Sequence, residues 1–219
     1  MADPDDKVGI PLDATSGTHN REKKSHVGIS RRTNLRALWA GAVNQDFFNE
    51  IVQLTNLEEL YMAWPTTAAD ISGITALKKL RKLQIDSPRN VTDFTPLTRL
   101  PNLVELDLEN AKHLYDLSWL RPLKDRLEVL HLDGSINTSQ KLKSLEPLDG
   151  FVFRKFWMTN ARLEDKDFGP LINCRNLTDF HCARFAARKE DFMRLADARP
   201  DLKCQWFDPD LWEPPRNFR

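Results

Sequence analysis

An apolar-x-x-apolar-x-apolar template returns seven times along the chain, and a chain that repeats itself at a near-constant step must build its core by stacking the copies. The copies are LRALWA from Leu35, LEELYM from Leu57, LRKLQI from Leu80, LVELDL from Leu103, LEVLHL from Leu127, FRKFWM from Phe153 and LTDFHC from Leu177. Their first positions lie 22 to 26 residues apart. An eighth, weaker copy, LKCQWF from Leu202, has Gln205 where an apolar residue belongs. Each unit is too short to bury its own apolar face, so no copy is expected to fold alone.

Within a strand successive side chains alternate, so template positions four and six point inward and positions three, five and seven point outward. The inward set is Leu38, Ala40, Leu60, Met62, Leu83, Ile85, Leu106, Leu108, Leu130, Leu132, Phe156, Met158, Phe180 and Cys182. Core packing accounts for all of them.

This pattern resembles the leucine-rich repeat family over residues 33–208. The units DISGITALKKLRKLQID and VTDFTPLTRLPNLVELDLEN look most like the short internalin-type bacterial repeat, in which a compact turn or 3₁₀ segment follows each strand. The resemblance implies an α/β solenoid: a right-handed, curved parallel sheet of about eight short strands, with 3₁₀ or short helical returns on the convex side. Later units are longer, and LEDKDFGPLINC and KEDFMRLADARP carry helical periodicity. The family's asparagine after the strand is present as Asn110 and Asn160 and replaced elsewhere, so the inner turn ladder is expected to be irregular.

The two ends depart from the repeat. Residues 1–32 form a partly flexible or capping segment, acidic and Gly/Ser-rich and then basic, in which Val8 to Leu12 or His26 to Ile29 is expected to pair as a capping strand. Residues 209–219 form a C-terminal capping tail, and over the segment WFDPDLWEPPRNFR Trp206, Phe207, Leu211, Trp212 and Phe218 are expected to seal the last repeat.

Several function classes are disfavoured. With 32 Lys plus Arg against 32 Asp plus Glu, the chain lacks the net positive charge of a general nucleic-acid or membrane binder. No apolar run approaches the length of a membrane span, and the start lacks the basic and apolar regions of a secretory signal. Three cysteines without CxxC spacing make neither a disulfide framework nor a zinc knuckle, so a reducing, cytoplasmic setting is expected. Phosphate-loop, dinucleotide, nucleophile-elbow, zincin and EF-hand motifs are all missing, so no enzyme activity, metal or cofactor is expected. An enzyme would have to use acids with His131, outside any known motif. His131 and His181 tempt a metal reading, but two strand spacings put their backbones about 10 Å apart with Trp157 between.

The outward positions are informative. Over eight expected strands they hold Glu59, Asp86, Glu105, Asp107, Glu109, Asp133, Asp179 and Asp208 against Lys82 and Lys155, a net of minus six on a chain that sums to zero. A concave face of one sign steers an opposite partner. Trp39, Tyr61, Trp157 and Trp206 share that face and suit interface anchoring. The expected partner-binding set is therefore Trp39, Tyr61, Asp86, Glu105, Asp107, Glu109, His131, Asp133, Trp157 and His181.

These features point to a monomeric protein-protein interaction module for a basic partner. The likeness to short internalin-like proteins encoded beside secreted toxins narrows this to an immunity or inhibitor protein. The competing reading is a scaffold or regulatory subunit of a cellular enzyme. Should the acidic face not bind, the basic arm around Arg21, Lys23, Lys24, Arg31 and Arg32 is the next candidate.

Overall fold

Between one strand and the next, apolar residues fall three apart: Ile71, Ile74, Leu77 and Leu80, then Val91, Phe94, Leu97, Leu100 and Leu103. Three residues make one 3₁₀ turn, so such a row stays on one side of the return segment. In the computed structural model, which describes residues 7–212, the returns are indeed 3₁₀ at Ser72–Ala76, Thr95–Arg99 and Ser118–Leu123. All nine of those apolar side chains are buried. Each of these returns opens on an aspartate two residues ahead. Asp70, Asp93 and Asp116 accept from the backbone N–H of Ser72, Thr95 and Ser118 at 2.8, 2.8 and 2.7 Å. That turn satisfies one of the donors a helix start leaves bare.

The chain divides into two compact units, residues 1–114 and 115–219. In the first unit, strands β1 (Ser16–Asn20), β2 (Ala37–Gly41), β3 (Glu59–Ala63), β4 (Lys82–Asp86) and β5 (Glu105–Glu109) lie side by side in chain order, all parallel. Register follows the template: Leu38 faces Leu60, Leu60 faces Leu83, and Leu83 faces Leu106. Each is 2% exposed or less, as the alternation rule requires. Helix α1 (Gln45–Ile51), not anticipated from sequence, buries Phe47, Phe48 and Ile51 and is capped by Asn44, whose Oδ1 accepts from the Phe47 N–H at 3.0 Å.

The strand that starts the first unit is not where the sequence suggested. β1 is Ser16–Asn20, whereas Val8 to Leu12 and His26 to Ile29 form turns and 3₁₀ structure. Its inward positions are Gly17 and His19, which no apolar template detects. Gly17 leaves room for Ile10, since a Cβ there would lie 2.6 Å from Ile10 Cδ1. His19 meets the Val8 carbonyl at 2.9 Å and Ser25 Oγ at 3.1 Å, so a buried polar ring has partners on both nitrogens. Arg32 is also buried, giving Nε to the Ile10 carbonyl at 3.0 Å and Nη1 to that of Gly28 at 2.6 Å. Arg21 is held by the Ala42 and Lys23 carbonyls. Arg32 therefore belongs to the packing of this end, not to a free basic arm.

The second unit carries three further parallel strands, β6 (Val129–Asp133), β8 (Lys155–Met158) and β10 (Asp179–Cys182), and a separate parallel pair, β7 (Gln140–Leu142) with β9 (Ala161–Leu163). Aromatic rings run through its core, Phe153 to Phe156, Phe156 to Phe180, Phe180 to Phe168 and Phe168 to Phe192, with centroids 4.9 to 5.8 Å apart. The KEDFMRLADARP segment is helix α2 (Lys189–Ala198), burying Phe192 and Leu195, whereas LEDKDFGPLINC gives only a 3₁₀ turn at Gly169–Asn173. Asn110 and Asn160 both bond across to a neighbouring turn, to Ser87 Oγ and the Ser135 carbonyl.

The eighth template copy is not a strand. Lys203 makes a single bridge to Asp179, and Gln205–Phe207 is 3₁₀. Among the described residues the sheet has eight parallel strands, seven of which carry template copies, and the eighth is β1 rather than the Leu202 copy. Gln205 breaks the inward row, and Trp206 turns its Nε1 back to the Cys182 carbonyl at 2.8 Å. Trp212 packs its ring 5.3 Å from Phe192 and donates Nε1 to the Trp206 carbonyl, covering the last repeat. Phe218 lies outside the described residues.

Candidate binding surface

Outward residues of β2 to β5 stand in rows set by the strand register. One row runs Trp39, Tyr61, Gln84, Asp107; a second runs Glu59, Lys82, Glu105; Asp86 and Glu109 face each other in a third. Trp39 is 44% exposed, far more than a core tryptophan. Lys82 Nζ sits 3.6 Å from Glu59 and 3.9 Å from Glu105, so its charge is shared between two half-exposed carboxylates. A depression of about 340 Å³ is lined by Trp39, Tyr61, Gln84 and these charged groups.

Tyr61 donates its phenolic hydrogen to Asp86 Oδ2 at 2.7 Å, and Gln84 Nε2 donates to Asp86 Oδ1 at 3.2 Å. The bond to Asp86 raises the Tyr61 pKa well above its ordinary value of 10.0; burial and the charges of Asp86, Glu109 and Asp107 push the same way. The sequence missed Trp64, directly after β3 and 62% exposed. It lines, with Trp39 and Tyr61, a second and more apolar depression of about 520 Å³. Trp64 falls at the eighth position counted from Leu57, beyond the seven to which the alternation rule was applied.

In the second unit, His131, Trp157 and His181 form the corresponding row. His131 stacks on Trp157 with ring centroids 4.7 Å apart, and His181 meets Trp157 edge-on at 5.0 Å. Lys155 Nζ lies 3.5 Å from the Trp157 ring centroid. Asp179 Oδ1 accepts from Trp157 Nε1 at 3.1 Å and lies 3.0 Å from His181 Nε2. Asp133 accepts from the Thr159 hydroxyl at 2.8 Å and from its N–H. Asp208, at the end of the copy that is not a strand, accepts from the Asp210 N–H and does not join these rows. Among the described residues no group of three or more His, Cys, Asp or Glu is arranged to hold a metal ion, and no helix is long and apolar enough to cross a membrane.

Parallel strands in chain order, a 24-residue step and 3₁₀ returns match solved structures of one kind. Internalin C2 of Listeria monocytogenes superposes with a TM-score of 0.56 at 22% identity, over 71% of this chain and 64% of that one. A leucine-rich repeat protein of Leptospira interrogans gives 0.57 at 19% identity, over 87% of this chain and 54% of that one. The chain has the leucine-rich repeat fold. A second Listeria internalin (inlF) aligns over 88% of this leucine-rich repeat chain and 67% of its own length, at 18% identity and a TM-score of 0.52. This leucine-rich repeat chain thus spans about two thirds or less of those proteins, and at such identities the likeness is one of fold. No family model and no curated protein matches its sequence. The stacked strands of each unit present rows of outward side chains.

Proposed function

We propose that this chain is a non-catalytic, monomeric, cytoplasmic binding module whose outward strand faces take a basic protein, without contacting nucleic acid or membrane. One observation carries the reading. Among the outward residues of β2 to β5, five carboxylates (Glu59, Asp86, Glu105, Asp107, Glu109) stand against the single ammonium of Lys82, beside the exposed ring of Trp39. Exposed aromatics within a field of one sign supply an anchor and a steering charge together. His131, Asp133, Trp157 and His181 are proposed as a second contact patch on the other unit. An immunity or inhibitor role toward a basic, nuclease-like toxin is the narrower form of this proposal, because an acidic face suits occlusion of a basic active site. A scaffold or regulatory subunit would use the same surface on a cellular enzyme.

The test compares proteins crosslinked to wild type and to the Asp107→Lys, Glu109→Lys double variant. Both side chains leave the core, so the fold should be unchanged. A basic protein captured by wild type and lost from the reversed variant, with affinity falling as salt rises, is expected. An identical captured set from both baits would overturn the proposal.

A further inference from the structure

The depression between Trp39 and Trp64 offers acceptors and aromatic faces to whatever enters it. Tyr61 spends its only hydroxyl hydrogen on Asp86 at 2.7 Å, so toward any further partner its oxygen is an acceptor alone. Asp86 itself is held from two sides, by Tyr61 and by Gln84, and is thereby fixed beside the Tyr61 ring. Asn20, at the end of β1, lies across Gly41: a Cβ on Gly41 would fall 2.3 Å from Asn20 Oδ1. The bare Gly41 therefore allows Asn20 Oδ1 to lie against the floor of the depression. The nearest strand cation, Lys82, is drawn the other way by Glu59 and Glu105, and Arg21 is bonded to the Ala42 and Lys23 carbonyls.

We propose that this depression is a seat for an arginine side chain of the partner protein, with the guanidinium lying against the faces of Trp39 and Trp64 and donating toward Tyr61 Oη and Asn20 Oδ1, while Asp86, bonded to Tyr61 just outside the lining, supplies the negative charge. This rests on the binding-module reading above and names the chemistry of its anchor. A planar guanidinium has donors around its whole edge and no acceptor, and its weakly hydrated faces stack on indole. An ammonium satisfies the charge but not the flat stacking, so lysine should bind less well.

The experiment uses the whole chain and a nine-residue arginine peptide, with lysine and citrulline peptides of equal length as controls. Binding is read by NMR from the indole N–H signals of the six tryptophans. The arginine peptide should shift Trp39 and Trp64, the lysine peptide should shift them at higher concentration, and the uncharged citrulline peptide should not. Trp64→Ala, at a 62% exposed site where folding is not at stake, should weaken the arginine peptide by roughly two- to thirtyfold, the span of one cation–π contact. Gly41→Ala, which displaces Asn20, and Asp86→Asn should each weaken it too. Equal responses to arginine and citrulline, or arginine shifts that survive Trp64→Ala undiminished, would overturn the seat. If the seat fails while Asp107→Lys, Glu109→Lys still loses its crosslinked protein, the broader binding proposal stands without it. If both experiments fail, both readings fall.

Discussion

Tyr61 and Asp86, on adjacent strands and 25 residues apart in sequence, are joined by a 2.7 Å hydrogen bond from phenol to carboxylate. The bond keeps the phenol protonated in the folded chain, so between pH 10 and its raised folded value the native state holds a proton that the unfolded state has released. Stability should therefore fall as pH rises above 10. In Asp86→Ala the spectroscopic titration of Tyr61 should move down toward 10, and much of the alkaline sensitivity should go with it. A Tyr61 titration unmoved by the substitution would show that burial, not the bond, sets its value.

Acid should destabilise the chain in two separate ranges. His19 is held below its ordinary 6.5, chiefly by burial, so protons bind the unfolded state first and stability declines as pH drops through that value. Asp70, Asp93 and Asp116 are depressed by their bonds to Ser72, Thr95 and Ser118; what they contribute is present above the ordinary 3.8 and lost below it. Urea unfolding across pH should show both declines. Replacing the three aspartates with asparagine should flatten the lower decline alone.

Arg199, 7% exposed, gives Nη1 to the carbonyls of Leu171 and Cys174 and Nη2 to that of Leu177, while Asp201 pairs with it at 2.7 and 2.8 Å. It ties the last full repeat to the end of α2. Arg199→Ala removes this donor from the Leu177 carbonyl and a second donor from those of Leu171 and Cys174, which keep their backbone bonds, and should cost about 1–3 kcal/mol in chemical denaturation. Arg199→Lys should recover little, because one ammonium cannot span the fork.

Leu106 has no exposed surface and faces Leu83 across the strand pair. Leu106→Ala should lower unfolding free energy by about 2–5 kcal/mol. Leu106→Asp places an unpaired charge there and should prevent folding, read by circular dichroism. An outward control, Asp107→Ala, should melt close to wild type.

Trp157 is packed against His131 and under Lys155, so it is a preformed platform rather than a loose anchor. Once the crosslinked partner is in hand, Trp157→Ala should raise its dissociation rate with little salt dependence, whereas Asp107→Lys with Glu109→Lys should slow association in a salt-dependent way. The same salt response from both variants would argue against separate anchoring and steering roles.

The repeat, the register and the inward row from Leu38 to Cys182 were legible in the sequence because they follow from periodicity alone: one apolar face per strand, renewed every 24 residues or so, leaves little choice of how copies stack. The 3₁₀ returns were expected from the family resemblance, and the period-three rows such as Ile71, Ile74 and Leu77 are what they bury. Where polar groups replace apolar ones in the core, periodicity is silent. β1 was hidden because Gly17 and His19 fill its inward positions, and only the Ile10 side chain, the Val8 carbonyl and Ser25 make them suitable for burial. Trp64 joined the surface through the path of the chain after β3, and Tyr61 acquired its partner through a register that pairs residues far apart in sequence. The Leu202 copy failed as a strand because Gln205 interrupts the inward row. Sequence determined which face is apolar, since that depends only on the order of residues; tertiary structure decided which polar groups could be buried or joined, since that depends on partners brought together by folding.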